Sequence, residues 1–169
     1  MIELNFMTYN EKVMKDLLRV IPQKGTVEWL GIRSKKKADL SAVEYVKVEK
    51  GTGLAGDHFN GSFSGKRQVT LIQQEHLNVI SSILKKKIID PKLTRRNIVV
   101  SGINLLSLKH HKFRIGDVTL ETTGICAPCS RMEENLGVGG YNAMRGHGGI
   151  TANVIKEGVI KLGDTLELI

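Results

Sequence analysis

Two cysteines stand three residues apart in Cys126-Ala-Pro-Cys129, and the chain has no others. Such a pair serves as half a zinc site, as a redox dithiol, as two unrelated buried thiols, or as one working thiolate with a neighbour. A structural zinc site needs four ligands, yet no second cysteine pair exists and His147 is the only histidine nearby in sequence. A thioredoxin-like dithiol calls for a strand before the motif and a long helix after it. Here Ser130–Leu136 is short and runs into glycines. Two ordinary buried thiols is the bland reading. The sharper one makes Cys129 a nucleophilic or metal-ligating thiolate, and Arg131, two residues on, supplies positive charge that favours that form.

Three further stretches carry candidate chemistry. Leu93-Thr-Arg-Arg-Asn-Ile98 offers guanidinium forks for phosphate oxygens and an amide that both donates and accepts. Read as the start of a strand, it points Arg95 and Asn97 to one face and Arg96 to the other; a solvated charged strand start is the alternative. Gly51-Thr-Gly-Leu-Ala-Gly-Asp-His58 is neither a dinucleotide fingerprint nor a P-loop, and its Gly-Asp reads as a turn. Gly137–Gly149 has six glycines in thirteen residues, with Tyr141, Asn142, Arg145 and His147 among them. That composition suits a loop bordering a ligand, a mobile lid, or a poorly ordered connection.

The elements that must position these residues are mostly strands. Apolar side chains at Val13, Met14, Leu17, Leu18 and Ile21 give one face of a helix over about 10–21, which Pro22 and Gly25 stop. This segment reads as an N-terminal helical extension, residues 1–24, packing on a domain of residues 25–169. Within that domain, Thr26–Ile32, Glu44–Lys50, Arg67–Ile72, Asn97–Val100, Lys112–Ile115, Val118–Glu121, Ile150–Ile155 and Thr165–Ile169 have strand character. Arg33–Lys37 reads as a charged loop and Gln73–Leu84 as the clearest internal helix. Many short strands with one or two helices predict a mainly β barrel or sandwich rather than a doubly wound sheet.

Composition bounds the function classes. With 169 residues, 41% hydrophobic and 25% charged, the chain is one ordinary globular domain, with two cysteines too few for a disulfide scaffold. No apolar run is long enough to cross a bilayer, and the N-terminus lacks the apolar core of a secretory signal, so a cytoplasmic protein is expected. The net charge of +8 favours an anionic partner, whether a phosphate-bearing cofactor, an acidic surface or nucleic acid. Aromatics are 5%, and none alternate with basic residues, which gives stacking-based single-strand recognition no support.

Eight short blocks stand in order. They are Gly53-Leu-Ala-Gly-Asp57, Arg67-Gln-Val-Thr-Leu71 with Glu75, Arg95-Arg-Asn-Ile98 and Phe113-Arg-Ile-Gly-Asp117. Then come Leu120-Glu-Thr-Thr-Gly124, Cys126-Ala-Pro-Cys129, Gly146-His-Gly-Gly149 and Lys161-Leu-Gly-Asp164. As an ordered set they resemble a stand-alone MOSC domain, the molybdenum cofactor sulfurase C-terminal domain, from about Gly25 to Ile169. The resemblance implies a MOSC-type, barrel-like β fold and a site for the pterin-based molybdenum cofactor, or for sulfur destined for it. Cys129 is similar in position to the molybdenum ligand of the mitochondrial amidoxime-reducing component, and Arg95 and Asn97 match its Arg-x-Asn. Arg67 and Gln68 fall in the other cofactor-lining segment, where the residue types differ.

Bacterial stand-alone members are linked to reduction of N-hydroxylated bases and amidoximes. By that resemblance the expectation is a molybdenum-dependent oxidoreductase acting on a small molecule, with Cys129 as metal ligand and catalytic residue. Arg67, Gln68, Arg95, Asn97 and Arg131 would line its cofactor site. The chain has no cysteine cluster for an iron–sulfur centre, so electrons must come from a separate protein. Pyridoxal phosphate is associated with the family, but no lysine motif here calls for it. One alternative is a sulfur carrier holding a persulfide on Cys129 and served by a sulfur donor protein. Another is a non-enzymatic basic binding module, for which steep salt dependence would be the mark.

Overall fold

The computed structural model describes residues 13–58 and 65–169. Among the described residues, eleven strands follow one another. They are β1 (Gly25–Ile32), β2 (Ser41–Ala42), β3 (Tyr45–Glu49), β4 (Gly53–Leu54), β5 (Val69–Gln73), β6 (Ile98–Ser101), β7 (Lys112–Ile115), β8 (Val118–Ile125), β9 (Ile150–Lys156), β10 (Gly158–Lys161) and β11 (Thr165–Leu168). The order β11-β7-β8-β9-β5-β6-β1 closes on itself through β1–β11 pairing, which makes a seven-stranded barrel; β2 hangs on the far part of β1. A second sheet, β10-β3-β4, covers part of it. All neighbours are antiparallel except β5 and β6, which run parallel in the register Leu71↔Ile98 and Gln73↔Val100. The mainly β expectation is met.

Alternation explains why these segments are strands. In β3 the burial runs exposed, buried, exposed, buried, so Val46 and Val48 turn inward while Tyr45 and Lys47 face water. β8 does the same with Val118, Leu120 and Thr122. The inward residues of ten strands, with Ile103, Leu105 and Leu108 from the β6–β7 connection, form one cluster that fills the barrel. A second cluster lies outside the barrel wall. Ile72 and Val99 point outward from β5 and β6 and meet Leu77 and Ile80 of helix α2 (Gln74–Ile83). Met132 and Leu136 of α4 (Ser130–Leu136), Ala143 of α5 (Gly140–Ala143) and Met144 complete it. β5 and β6 are therefore buried on both faces, as a parallel pair covered by helices must be.

Three local expectations are corrected. The stretch 137–149, read as a loop bordering a site, is not one loop: it contains α5, and its Gly140, Ala143, Met144, Gly148 and Gly149 are buried. β10, a regular four-residue strand paired with β3, lies where no strand was expected. Residues 95–97 are not the start of a strand either. Helix α3 (Pro91–Thr94), capped by Asp90, ends in Arg95 with φ of 60°, a left-handed turn, and β6 begins only at Ile98.

Of the N-terminal helix expected over about 10–21, residues 10–12 lie outside the described residues. Residues 13–17, labelled α1, are helical. Ile21 packs against the barrel core, while Met14, Leu17 and Leu18 are largely exposed. No helix among the described residues is long and apolar enough to cross a membrane.

Candidate functional site

Because β5 and β6 are parallel, the segments that enter them arrive side by side. One brings Lys66, Arg67 and Gln68; the other brings Arg95, Arg96 and Asn97. The end of β8 delivers Cys126 and, after Ala127 and Pro128, Cys129. Arg33, which follows β1, and Asp57-His58, which follow β4, form the remaining wall. Together they bound a cavity of about 660 Å³, a size that accommodates a cofactor-scale ligand.

The two thiols share this cavity but differ in access. Cys126 is 1% exposed, and the Arg67 Nη2 donates to its Sγ at 3.5 Å. Cys129 is exposed, in extended backbone, and its carbonyl receives the Met132 N–H at 2.8 Å as α4 begins. No disulfide joins them. Among the described residues, no three of His, Cys, Asp and Glu converge to hold a metal by themselves.

Charge is the second property of the cavity. Among the described residues, Arg33, Lys66, Arg67, Arg95 and Arg96 line it against a single carboxylate, Asp57. That carboxylate is already engaged: its Oδ1 accepts the Arg33 backbone N–H at 2.7 Å and lies 3.7 Å from Arg33 Nε. Burial pushes the Arg95 pKa down, Arg33 and Arg131 push it further, and Cys129 opposes them. Arginine remains charged through such shifts, so the cavity keeps an excess of cations that an anionic ligand would relieve. Two buried polar atoms in its wall, Arg33 Nε and His58 Nε2, have no hydrogen-bond partner among the described residues. Groups of that kind mark a place where a ligand or water completes the bonding.

The polar residues singled out from the sequence divide by task. Arg95 and Asn97 line the same cavity as Cys129, as expected. Asn97 is also a stitch across three strands: its Oδ1 accepts from Thr70 Oγ1 at 2.8 Å and Thr70 N at 3.3 Å, and its Nδ2 donates to the Gly31 carbonyl at 3.2 Å. Gln68 is buried in the wall, with Oε1 accepting the Val154 N–H at 3.0 Å. Arg131 is not among the lining residues. It pairs with Glu134 at 3.6 Å, and its charge is felt at Arg95.

Arg96 is the clear correction. Strand alternation sends it away from Arg95, but the left-handed turn at Arg95 breaks that alternation, and Arg96 lines the cavity while being 4% exposed. Arg33, Asp57 and His58 were also missed as site residues. Arg33 sits in what reads as a charged loop. Asp57 and His58 belong to the Gly-Leu-Ala-Gly-Asp-His stretch, whose only signal was its place in the ordered blocks.

A family model described as MOSC domain matches residues 56–167. Among solved structures, the YuaD protein from Bacillus subtilis is similar, with 21% identity, 88% of this chain and 98% of that chain covered, and a TM-score of 0.76. YiiM from Geobacillus stearothermophilus has 16% identity, covering 86% and 75%, with a TM-score of 0.71. YiiM from Escherichia coli has 17% identity, covering 85% and 69%, with a TM-score of 0.65. At these identities the likeness concerns the fold. No curated protein matches the sequence.

Proposed function

The chain belongs to the MOSC domain family, and from that premise we propose that it binds a pterin-type molybdenum cofactor and reduces N-hydroxylated substrates such as bases and amidoximes. One observation carries the reading: an exposed thiol, Cys129, opens into a cavity lined by four arginines and a lysine with one already-engaged carboxylate. The residues fit the group. Guanidinium forks at Arg67 and Arg95 suit a phosphate and a polar ring edge. Arg33 Nε and His58 Nε2, which make no hydrogen bond among the described residues, offer further polar contacts. A soft sulfur at Cys129 suits a metal that already carries sulfur ligands. When bound, the cofactor would supply two-electron reduction of the N–O bond, with electrons from a separate protein.

The chain's own residues do the rest. Cys129 presents its sulfur from the residue before α4, in extended backbone and exposed. Arg67 stays against Cys126 and keeps the inner thiol paired and out of solvent. The cations hold an anionic ligand in place.

The exposure of Cys129 also favours a second reading, a sulfur carrier with a persulfide on that cysteine and no need for metal. Metal, pterin and labile-sulfur analysis of protein purified from a host that makes the cofactor separates the two. Stoichiometric molybdenum with pterin, lost in Cys129→Ser, supports the reductase. Labile sulfur on Cys129 without either supports the carrier. Neither, together with steeply salt-dependent binding of anions that does not need Cys129, supports a basic binding module.

A further inference from the structure

The structure assigns Arg96 as the positioning residue for the Cys129 loop, a role that rests on Cys129 being the working sulfur. Every partner of its buried guanidinium is a carbonyl or a sulfur, and among the described residues no carboxylate pairs with it. Nε donates to the Gly148 carbonyl at 2.9 Å, and Nη1 to the Thr94 carbonyl at 2.7 Å. Nη2 donates to the carbonyls of Cys126 at 2.8 Å and Ala127 at 3.3 Å. Nη1 also meets Met132 Sδ at 3.8 Å.

These contacts bracket Cys129 on both sides. Cys126 and Ala127 precede it, and Met132 follows it in α4. Gly148 closes the grip from a third segment, and Cys126 N donates to the next carbonyl, Gly149, at 2.9 Å. A Cβ on residue 148 would lie 2.1 Å from the Cys126 carbonyl oxygen and 2.9 Å from Arg96 Nη2, so only glycine allows this approach. The fork is specific to arginine. Its five N–H donors lie in one plane and reach several carbonyls at once, whereas a lysine ammonium has three donors on a single atom. Arg96 thus ties the turn after α3, the end of β8 and the entry to β9 into one rigid seat from which Cys129 reaches the cavity.

Two measurements test this. In wild-type protein, nitrogen-15 NMR of the arginine side chains should show Arg96 Nη protons as separate, slowly exchanging signals; a single averaged signal would overturn the grip. In Arg96→Lys and in Gly148→Ala, iodoacetamide labelling read by mass spectrometry should rise at Cys126 by roughly tenfold or more through local opening of the loop, while Cys129 labels as in wild type. Global unfolding free energies of the same variants are measured in urea. If Cys126 labelling rises only by the factor that the global loss predicts, Arg96 merely stabilises the fold and the positioning role is wrong. If the variants fail to fold, the wild-type NMR decides. The reading of Cys129 fails separately, when Cys129→Ser retains full molybdenum content and sulfur transfer; opening of Cys126 in Arg96→Lys would then leave a loop clamp without a working thiol.

Discussion

Replacing Asn97 by alanine should lower the stability of the whole barrel before it affects any ligand. The side chain is 3% exposed and holds β5 and β1 to the entry of β6 through Thr70 and Gly31. Alanine leaves the Gly31 carbonyl without this donor and the Thr70 hydroxyl and N–H without this acceptor. Each buried polar group left unpartnered costs about 1–3 kcal/mol. The Thr70 hydroxyl retains the Asn97 backbone N–H at 3.0 Å, which softens its loss. Only the Gly31 bond is fully buried, while both Thr70 bonds are part-buried and open to water; the Gly31 carbonyl then costs about 1–3 kcal/mol and the Thr70 groups together about 1 kcal/mol, about 2–4 kcal/mol in all. For a chain of this size that is a fall in Tm of roughly 5–15 °C. Thermal unfolding followed by circular dichroism, with urea titration as the second probe, reads it directly. A Tm change under about 2 °C would mean the stitch contributes nothing beyond what water replaces, and the reasoning fails. Cofactor occupancy measured well below the new Tm then isolates whatever Asn97 adds to binding.

Other outcomes follow from the same geometry. Arg95→Ala should weaken cofactor binding by about 1.5–3 kcal/mol through loss of a charge-assisted contact, seen as lower molybdenum content at equal protein; unchanged content would remove Arg95 from the site. Cys129→Ser should abolish both reduction of an N-hydroxylated test substrate and sulfur transfer with folding retained, while Cys126→Ser keeps much of either. Equal harm from both, with a reversible internal disulfide, would point to dithiol chemistry instead. Burial, reinforced by His147 and opposed by Glu75, holds the His76 pKa below its ordinary value of 6.5. The unfolded chain then binds more protons than the folded one between those two values, so stability should fall as pH drops below about 6.5. Urea midpoints at about pH 5 and pH 7.5 should differ less in His76→Gln than in wild type.

The strands were legible where one face is buried and the other wet. β3 and β7 alternate cleanly, and Val46, Val48, Phe113 and Ile115 could be placed inward from sequence. β10 was not, because Gly158-Val-Ile-Lys161 buries only Ile160 and carries too little pattern in four residues. Cys129, Arg67, Gln68, Arg95 and Asn97, all legible in the sequence, line one cavity, whereas strand alternation directs Arg96 away from it and the structure does not. A period-two argument assumes a strand, and the positive φ at Arg95 is an uncommon conformation that local sequence does not announce. Arg33 was invisible for a different reason. Its partners Asp57 and His58 lie far along the chain, and only tertiary closure brings them together.

The closure of the barrel has a consequence for how the chain acquires its shape. β1 meets β11 over only Gly25↔Leu166 and Thr26↔Thr165, so the first strand of the barrel waits for the last before the ring is complete. Until then β1 presents an open edge along its β11 side, the kind of edge that templates pairing with other chains. Loop closure of nearly the full chain must precede those contacts, which places this protein among slow folders with non-local topology. The cavity, by contrast, draws on the residue after β1, the stretch after β4, the entries to β5 and β6 and the end of β8; β1 is held there by β6, and none of these needs that last pairing. A nascent chain can thus hold a nearly formed site while its barrel is still unsealed, and aggregation during synthesis should be set by the β1 edge and not by the cation-lined cavity.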